Sequence, residues 1–282
     1  MERLKSYDTG KPTLYLVPTP IGNLEDMTYR AVRILQESDV IYAEDTRVTQ
    51  KLLRHFQISK PMKVAHEHNQ TIASQWILSD LQEGKNVALV SDAGMPLVSD
   101  PGAEVVSSIR RHGFPVVCLP GPSALLTGLV ASGMKVHPFL FVGFLDAKKN
   151  KRIQSLEELQ FRTETLVFYE APHRIQELMD DLYQVFGSRS FAIARELTKT
   201  FEEILTGNLE EQPSLDGLKG EMVVIVSGYE QPQEEITNLS IVEQVDLFVK
   251  DGMSKTDAMK QVSLLTGIPK NTIYQEYLKQ SK

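Results

Sequence analysis

Three loops rich in Gly and Pro are the segments of this chain best suited to hold a ligand. Each follows an apolar, β-like run; the runs are 14–17, 87–90 and 116–119, and the loops are 18–24, 91–96 and 120–123. Gly lets a ligand approach the backbone closely, and Pro keeps a loop stiff. A parallel sheet gathers such loops at the carboxyl ends of its strands, where open α/β proteins bind ligands. The loops therefore predict a preorganised pocket for a small molecule.

Charged side chains follow three further β-like runs. They are Glu44, Asp45 and Arg47 after 40–43, Glu170, His173 and Arg174 after 165–169, and Arg195, Glu196 and Lys199 after 190–194. Carboxylates and cations at the ligand edge of a sheet suit binding or acid–base chemistry. The structural alternatives are a helix cap with a surface ion pair, a helix N-terminus begun by Pro172, and a solvated salt-bridge face.

The apolar periodicity predicts the elements that position these residues. Before residue 121, strands alternate with helices, which is typical of a parallel sheet covered on both faces. Asp26 is a candidate cap for the first helix, and residues 207–208 are a candidate turn. A second α/β unit with shorter helices and more strand follows. After a polar linker, three short helices resemble a helix-turn-helix. We expect domains at 11–121 (N-terminal α/β), 122–230 (second α/β) and 239–282 (helical).

One basic run stands out in a chain whose net charge is −7. It comprises Lys148, Lys149, Lys151 and Arg152. An acidic chain is a poor general binder of nucleic acid, but a local patch is enough for phosphate contacts. The run is therefore the best candidate for phosphate binding, and its alternative is a solvated loop.

Composition excludes several classes of protein. The 282 residues include one cysteine, Cys118, which rules out an internal disulfide and, within a β-like run, is expected to be a buried, inert thiol. Trp76 is expected in the core. No apolar run is long enough to cross a bilayer, and no signal peptide is evident, so we expect a cytoplasmic protein. Dinucleotide and P-loop motifs and Cys/His metal clusters are absent from the sequence.

Six phrases, in this order and spacing, resemble the tetrapyrrole methylase superfamily of S-adenosylmethionine-dependent enzymes. They are PTPIGNL (18–24), AEDTR (43–47), SDAGMPLVSDPG (91–102), PGPSA (120–124), YEAPHR (169–174) and ARELTK (194–199). Within the superfamily they are similar to the branch that methylates a cytidine ribose 2′-hydroxyl in small-subunit (16S) ribosomal RNA. The resemblance covers roughly residues 14–229, and the helical tail also fits this branch.

The resemblance implies two α/β domains with S-adenosylmethionine in the cleft between them, and a homodimer. The implied cofactor-binding residues are Pro18, Thr19, Pro20, Gly22, Asn23, Ser91, Asp92, Ala93, Gly94, Met95, Pro120, Gly121, Pro122 and Ser123. Asp92 would reach the amino group of the cofactor. The helix that starts after residue 123 would offer its free N–H groups to the cofactor carboxylate.

The implied reaction is an in-line methyl transfer from a sulfonium to a neutral hydroxyl, which must lose its proton. This chemistry requires no metal. The predicted catalytic residues are Asp100, Glu170 and Lys199. The predicted substrate-binding residues are Asp45, Arg47, Lys148, Lys149, Lys151, Arg152, His173, Arg174 and Arg195. The implied partner is small-subunit ribosomal RNA within the assembled subunit.

Four other functions stay open at this point. They are a tetrapyrrole-precursor methylase, a diphthamide-pathway methylase, a non-catalytic RNA-binding or assembly factor, and a DNA-binding regulator built on the tail. The phrase APHR at 171–174 and the tail favour RNA over the first two. Residues 241–282 hold six Lys against five Asp and Glu, so DNA binding by the tail alone is disfavoured.

Overall fold

The computed structural model describes residues 10–66, 69–99, 103–215, 217–230, 239–250 and 252–280. They form two compact units, one ending at Gly228 and the other beginning at Tyr229. The first unit contains two five-stranded sheets. The strands of one sheet precede residue 121 and those of the other follow it. The exact limits of the three expected domains stay predictions.

The first sheet is entirely parallel, with strand order β3-β2-β4-β1-β5. Its strands are β1 (Leu14–Val17), β2 (Val40–Ala43), β3 (Met62–Val64), β4 (Val87–Val90) and β5 (Val116–Cys118). Its helices are α1 (Tyr29–Glu37), α2 (Thr46–His55), α3 (Gln70–Gln82) and α4 (Ala103–Arg111). Apolar clusters cover both faces. Because β4, β1 and β5 are neighbours, the three Gly/Pro loops that follow them lie side by side.

The second sheet is mixed, with strand order β6-β7-β10-β8-β9. Its strands are β6 (Phe139–Phe144), β7 (Thr165–Glu170), β8 (Ser190–Arg195), β9 (Glu203–Asn208) and β10 (Met222–Val226). The β6–β7 pair is parallel, and the other three neighbouring pairs are antiparallel. The helices are α5 (Ala124–Ala131), α6 (Lys149–Leu159) and α7 (Ile175–Phe186). One face of the sheet packs on α6 and α7, and the other packs on α5.

The C-terminal unit contains three helices around a small core. They are α8 (Ile241–Lys250), α9 (Lys255–Thr266) and α10 (Lys270–Gln280). Val245, Val262 and Ile273 are fully buried between them. Ser254 caps α9 by accepting a hydrogen bond from the N–H of Asp257, and Gly267 ends that helix in the left-handed conformation. The predicted fold class, two α/β units and a helical tail, is confirmed.

The structure corrects several local predictions. Cys118 is exposed, on a strand that lies at the edge of the sheet. Trp76 is 44% exposed on α3. Thr28, not Asp26, caps α1, since its Oγ1 accepts the N–H of Ala31. Residues 207–208 belong to β9 and form no turn. Periodicity identifies faces of an element, but it does not say which face the rest of the chain covers.

None of the helices in the described part of the chain has the length and apolarity to span a membrane.

Candidate active site

A cavity of about 570 Å³ lies between the carboxyl edge of the first sheet and the α5 side of the second. Its volume is typical of small-molecule sites. The first half contributes Ile21, Glu44, Asp92, Ala93, Gly94, Met95, Val98 and Ser99. The second half contributes Ser123, Ala124, Phe144, Tyr169, Glu196, Leu197, Lys199, Gly220, Glu221, Met222 and Val223. Five predicted cofactor-binding residues and the predicted catalytic Lys199 therefore border one cavity.

The loops after β1 and β4 are joined by hydrogen bonds. The backbones of Thr19 and Gly94 exchange two hydrogen bonds, of 3.0 and 2.9 Å. The Thr19 hydroxyl donates to the carbonyl of Ser91 at 3.1 Å, and the Ser91 hydroxyl donates to the carbonyl of Gly94 at 2.9 Å. Both hydroxyls are buried, so Thr19 and Ser91 fix the loops, and the loop backbone borders the cavity.

Two glycines are required where loops approach each other closely. A Cβ on Gly121 would lie 2.6 Å from Cβ of Pro18, inside van der Waals contact. A Cβ on Gly22 would lie 2.6 Å from Cγ of Lys199. The predicted cofactor loops therefore pack on one another and on the loop after β8. Pro20, Gly22 and Thr19 also border a smaller cavity of about 250 Å³, next to the main one.

Asp92 connects the ends of β4 and β2. Its Oδ1 accepts a hydrogen bond from the N–H of Asp45 at 3.0 Å, and the residue borders both cavities. This acceptor fixes the start of α2 relative to the loop after β4. Asp92 thus borders the cavity, and its predicted role in cofactor binding stays a prediction.

Asp45 and Arg47 form a helix cap with an ion pair. Asp45 Oδ1 accepts from the N–H of Arg47 at 2.8 Å, and Arg47 Nη2 lies 2.6 Å from Asp45 Oδ2. The hydrogen bond from the Arg47 side chain, followed by that from its backbone, lowers the pKa of Asp45 to about 2. Both side chains lie outside the cavity, whereas the preceding residue, Glu44, borders it. Their contacts match the capping alternative, and a role toward substrate stays a prediction.

Some of the backbone N–H groups at the start of α5 have hydrogen-bond acceptors within the chain. The Tyr169 hydroxyl accepts the N–H of Leu125 at 3.0 Å, and Ser123 Oγ accepts the N–H of Leu126 at 3.4 Å. The expectation of free N–H groups is therefore wrong for Leu125 and Leu126. Ser123 and Ala124 still border the cavity.

Left-handed backbone conformations concentrate beside the cavity. Leu97 and Ser99 in the loop after β4, and Glu196 and Thr198 in the loop after β8, have φ of +73°, +63°, +50° and +68°. These are four of the six non-glycine residues with positive φ in the described ranges. Such conformations cost energy and cluster at functional sites. Within the second loop, Lys199 Nζ donates to Glu196 Oε1 at 2.9 Å, and both side chains border the cavity.

Glu170 does not border the cavity. It is 1% exposed, its Oε1 accepts the N–H of Ala171 at 2.8 Å, and Arg174 Nη2 lies 3.3 Å from its Oε2. Side chains alternate along a strand, so the neighbouring Tyr169 takes the cavity face. Arg174 also donates to the carbonyl of Leu145 at 3.0 Å. This pair holds the turn after β7, and the structure corrects the expectation that Glu170 faces the reacting atoms.

The basic run begins a helix and does not form a solvated loop. Arg152 is 1% exposed; its Nε donates to Asp181 at 2.7 Å and its Nη2 to Glu177 at 3.2 Å. It is therefore unavailable to phosphate, which corrects the prediction. Lys149 Nζ lies 3.3 Å from Asp181, and Lys151 Nζ lies 3.5 Å from Asp146, with side chains 64% and 65% exposed. Lys148 precedes the helix as its N-cap residue.

The remaining predicted residues fall outside the cavity or outside the described ranges. His173 is exposed in the turn after β7. Arg195 Nε donates across the sheet to Glu203 at 2.7 Å. Pro18, Asn23, Pro120 and Pro122 shape the loops without bordering the main cavity. Asp100 lies outside the described residues. Sequence reasoning missed Phe144 and Tyr169 as cavity residues, although Tyr169 ends the β-like run 165–169 at the ligand edge.

The chain belongs to the tetrapyrrole (corrin/porphyrin) methylase family, whose model matches residues 13–213. It is 47% identical to the protein named ribosomal RNA small subunit methyltransferase I of Halalkalibacterium halodurans, over 98% of this chain and 99% of that protein. The proteins of that name from Bacillus subtilis and Escherichia coli O157:H7 are 42% and 40% identical, over 94% and 99% of this chain and 93% and 99% of theirs. The family predicted from the six phrases is confirmed.

Solved structures share the fold at lower identity. Uroporphyrin-III-C-methyltransferase from Thermus thermophilus gives a TM-score of 0.56 at 22% identity, covering 77% of this chain and 94% of that one. Diphthine synthase gives a TM-score of 0.59 at 16% identity, covering 77% of this chain and 90% of that one. These similarities support the arrangement of the two sheets.

Proposed function

We propose that this chain transfers a methyl group from S-adenosylmethionine to the 2′-hydroxyl of a cytidine in small-subunit (16S) ribosomal RNA. The supporting observation is 40–47% identity, over nearly the full length, to proteins named ribosomal RNA small subunit methyltransferase I. The phrases that carry the family resemblance contribute residues to one cavity of suitable size.

The cavity residues fit S-adenosylmethionine. Four carboxylates, of Glu44, Asp92, Glu196 and Glu221, border the cavity, against the ammonium of Lys199. An acidic lining suits a ligand that carries a sulfonium and an ammonium group. The hydrogen-bonded loops offer a fixed backbone to the polar atoms of the cofactor. Their glycines carry no side chain, so the cofactor can approach this backbone closely. When bound, the cofactor supplies an electrophilic methyl group.

The chain's own residues would orient the acceptor and stabilise its charge. Lys199 is the predicted catalytic side chain that borders the cavity, and Glu196 holds its ammonium at 2.9 Å. A fixed cation beside the attacking ribose oxygen stabilises the negative charge that develops as its proton leaves. Holding oxygen, methyl carbon and sulfur in line supplies much of the remaining acceleration. Asp100 remains a predicted base, and the buried Glu170 holds the turn after β7.

A methylation assay with two RNA substrates tests the proposal. The purified protein and labelled S-adenosylmethionine are incubated with naked 16S RNA or with assembled small subunits from cells lacking the gene. We expect one 2′-O-methylcytidine, formed more efficiently in the assembled subunit. If the protein binds neither S-adenosylmethionine nor its demethylated product at millimolar concentration, the proposal fails. Binding without turnover on either substrate would instead favour a non-catalytic RNA-binding or assembly factor.

The same proposal includes a homodimer that acts in the cytoplasm. Light scattering and fractionation test these two points. A monomer with full activity would remove the dimer from the proposal without affecting the reaction.

A further inference from the structure

A β-bulge in β6 turns Phe144 toward the cavity. Phe141 pairs with Val167 in β7, but Gly143, and not Val142, pairs with Phe168, and Phe144 then pairs with Tyr169. In a regular register Phe144 would pair with Glu170, on the opposite face of the sheet. An extra residue moves every following side chain to the other face. The bulge therefore places the Phe144 ring on the cavity side.

The bulge depends on a glycine. Gly143 has φ of +76°, which L side chains rarely adopt. A Cβ at this position would also lie 3.3 Å from Ser99 Oγ, in the loop after β4. Backbone conformation and available space thus both favour glycine at the residue that reorients Phe144.

The Phe144 ring is exposed but rigidly supported. It borders the cavity and is 52% exposed. Its ring lies 5.5 Å from that of Tyr169 at 62°, and Tyr169 lies 5.0 Å from Phe141 at 69°. The backbone N–H of Leu125 fixes the Tyr169 hydroxyl at 3.0 Å. These edge contacts hold the ring in place and leave part of it open to a ligand.

We propose that Phe144 is a stacking platform for the unpaired base of the nucleotide that enters the cavity. The inference rests on the proposed function and names the residue that receives the base. Proteins that recognise single-stranded RNA stack its unpaired bases on aromatic side chains. The predicted cofactor residues lie mainly in the loops of the first sheet, whereas Phe144 comes from the second sheet. Stacking holds the base, and the base orients the ribose to which it is bonded; contacts to the phosphates alone do not orient the ribose in this way.

The test compares Phe144→Leu and Phe144→Trp with Phe161→Leu. Phe161 is 69% exposed and precedes β7, at the end of the second sheet away from the cavity, so it is a matched control. The measurements are kcat and KM for the RNA substrate, the Kd for S-adenosylhomocysteine, and quenching of a fluorescent base at the target position. Melting temperature establishes that each variant is folded.

Because stacking on an aromatic ring contributes to the binding of an unpaired base, we expect Phe144→Leu to lower kcat/KM for RNA by about 10-fold and to remove the quenching. We expect Phe144→Trp to retain both, and Phe161→Leu to change neither. Unchanged kcat/KM and quenching in Phe144→Leu would overturn the inference. An equal loss of S-adenosylhomocysteine affinity would also overturn it, because the ring would then hold the adenine of the cofactor.

The quenching assay separates this inference from the proposed function. If the wild-type protein binds the RNA with Phe144-dependent quenching but transfers no methyl group, the proposed reaction fails and the platform stands. If methyl transfer occurs and Phe144→Leu retains wild-type kinetics and quenching, the platform fails and the reaction stands. If the wild-type protein binds no RNA, both fail.

Discussion

The two sheets of the first unit border the cavity in different ways. The parallel sheet contributes loops whose backbone is fixed, because the side chains of Thr19 and Ser91 tie them together, and it adds the carboxylates of Glu44 and Asp92. The mixed sheet presents side chains, among them Phe144, Tyr169 and Lys199. Parallel strands end at one edge and gather their loops there, whereas a mixed sheet also offers the side chains of a face. A rigid backbone suits an invariant cofactor, and side chains suit a particular acceptor.

Arg152→Ala has the largest expected effect. It tests whether this side chain of the second sheet's layer serves the fold or binds substrate. Arg152 and Asp181 are both buried, and removal of one member of such a pair costs roughly 3–5 kcal/mol. We expect a large loss of unfolding free energy in denaturant titration. Lys148→Ala, in the same run, should change stability little. A stable Arg152→Ala protein with weakened RNA binding would restore Arg152 to the substrate site.

Lys199→Ala tests the side-chain half of the comparison. Loss of one preorganised charge-stabilising group lowers kcat by roughly 10²–10³-fold. We expect that loss in single-turnover methylation, with the Kd for S-adenosylhomocysteine within about threefold of wild type. Lys199→Arg keeps the charge and should recover part of the rate. A cofactor affinity that falls as far as the rate would contradict the division between the two sheets.

Asp92→Asn tests the half of the cavity assigned to the cofactor. Asn retains the acceptor for the Asp45 N–H but loses the charge, and a hydrogen bond to a charged group is worth roughly 1.5–3 kcal/mol. We expect S-adenosylmethionine to bind about 10- to 100-fold more weakly in calorimetry, with unchanged melting temperature. Glu196→Gln is the matched change in the other half. Equal losses of S-adenosylmethionine affinity in the two variants would contradict the assignment of the cofactor to the first sheet's half of the cavity.

Gly143→Ala sharpens the comparison at the bulge. A side chain in the left-handed conformation costs roughly 1–2 kcal/mol, and relief of that strain would shift Phe144. We expect a lower melting temperature and a higher KM for RNA, with cofactor affinity retained. Gly121→Ala should instead weaken cofactor binding, since its Cβ would press on Pro18. If Gly143→Ala loses cofactor binding and Gly121→Ala does not, the assignment of Gly143 to the RNA side of the cavity is wrong.

The smallest effect is expected at the Asp45 cap. In the folded protein the pKa of Asp45 is about 2, below its ordinary value of 3.8. The ionised carboxylate therefore stabilises the fold at pH values above 3.8, and this stabilisation is lost as the pH falls through the folded-state pKa. Asp45→Asn retains a good capping residue and should leave the melting temperature nearly unchanged at pH 7. Melting curves between pH 2 and pH 7 check this. A variant more sensitive to acid than the wild type would contradict the sign.

The sequence was sufficient for most of the elements but not for the orientation of several side chains. It predicted β1, β2 and β4 with the observed bounds. It placed Glu170 in the site, because the periodicity of a strand does not tell which face meets the cavity. It also missed Phe144, because the Gly143 bulge reverses the alternation there. Arg152 was misassigned because its partners, the buried Asp181 and the exposed Glu177, lie on α7, which follows later in the chain.

The double hydrogen bond between Thr19 and Gly94 has a consequence for engineering this enzyme class. It makes two segments that are distant in the chain behave as a single mechanical part. A substitution that shifts one of them must displace the other, so libraries aimed at alternative methyl donors should randomise both segments together. Selections that vary only one would sample mostly misfitted combinations.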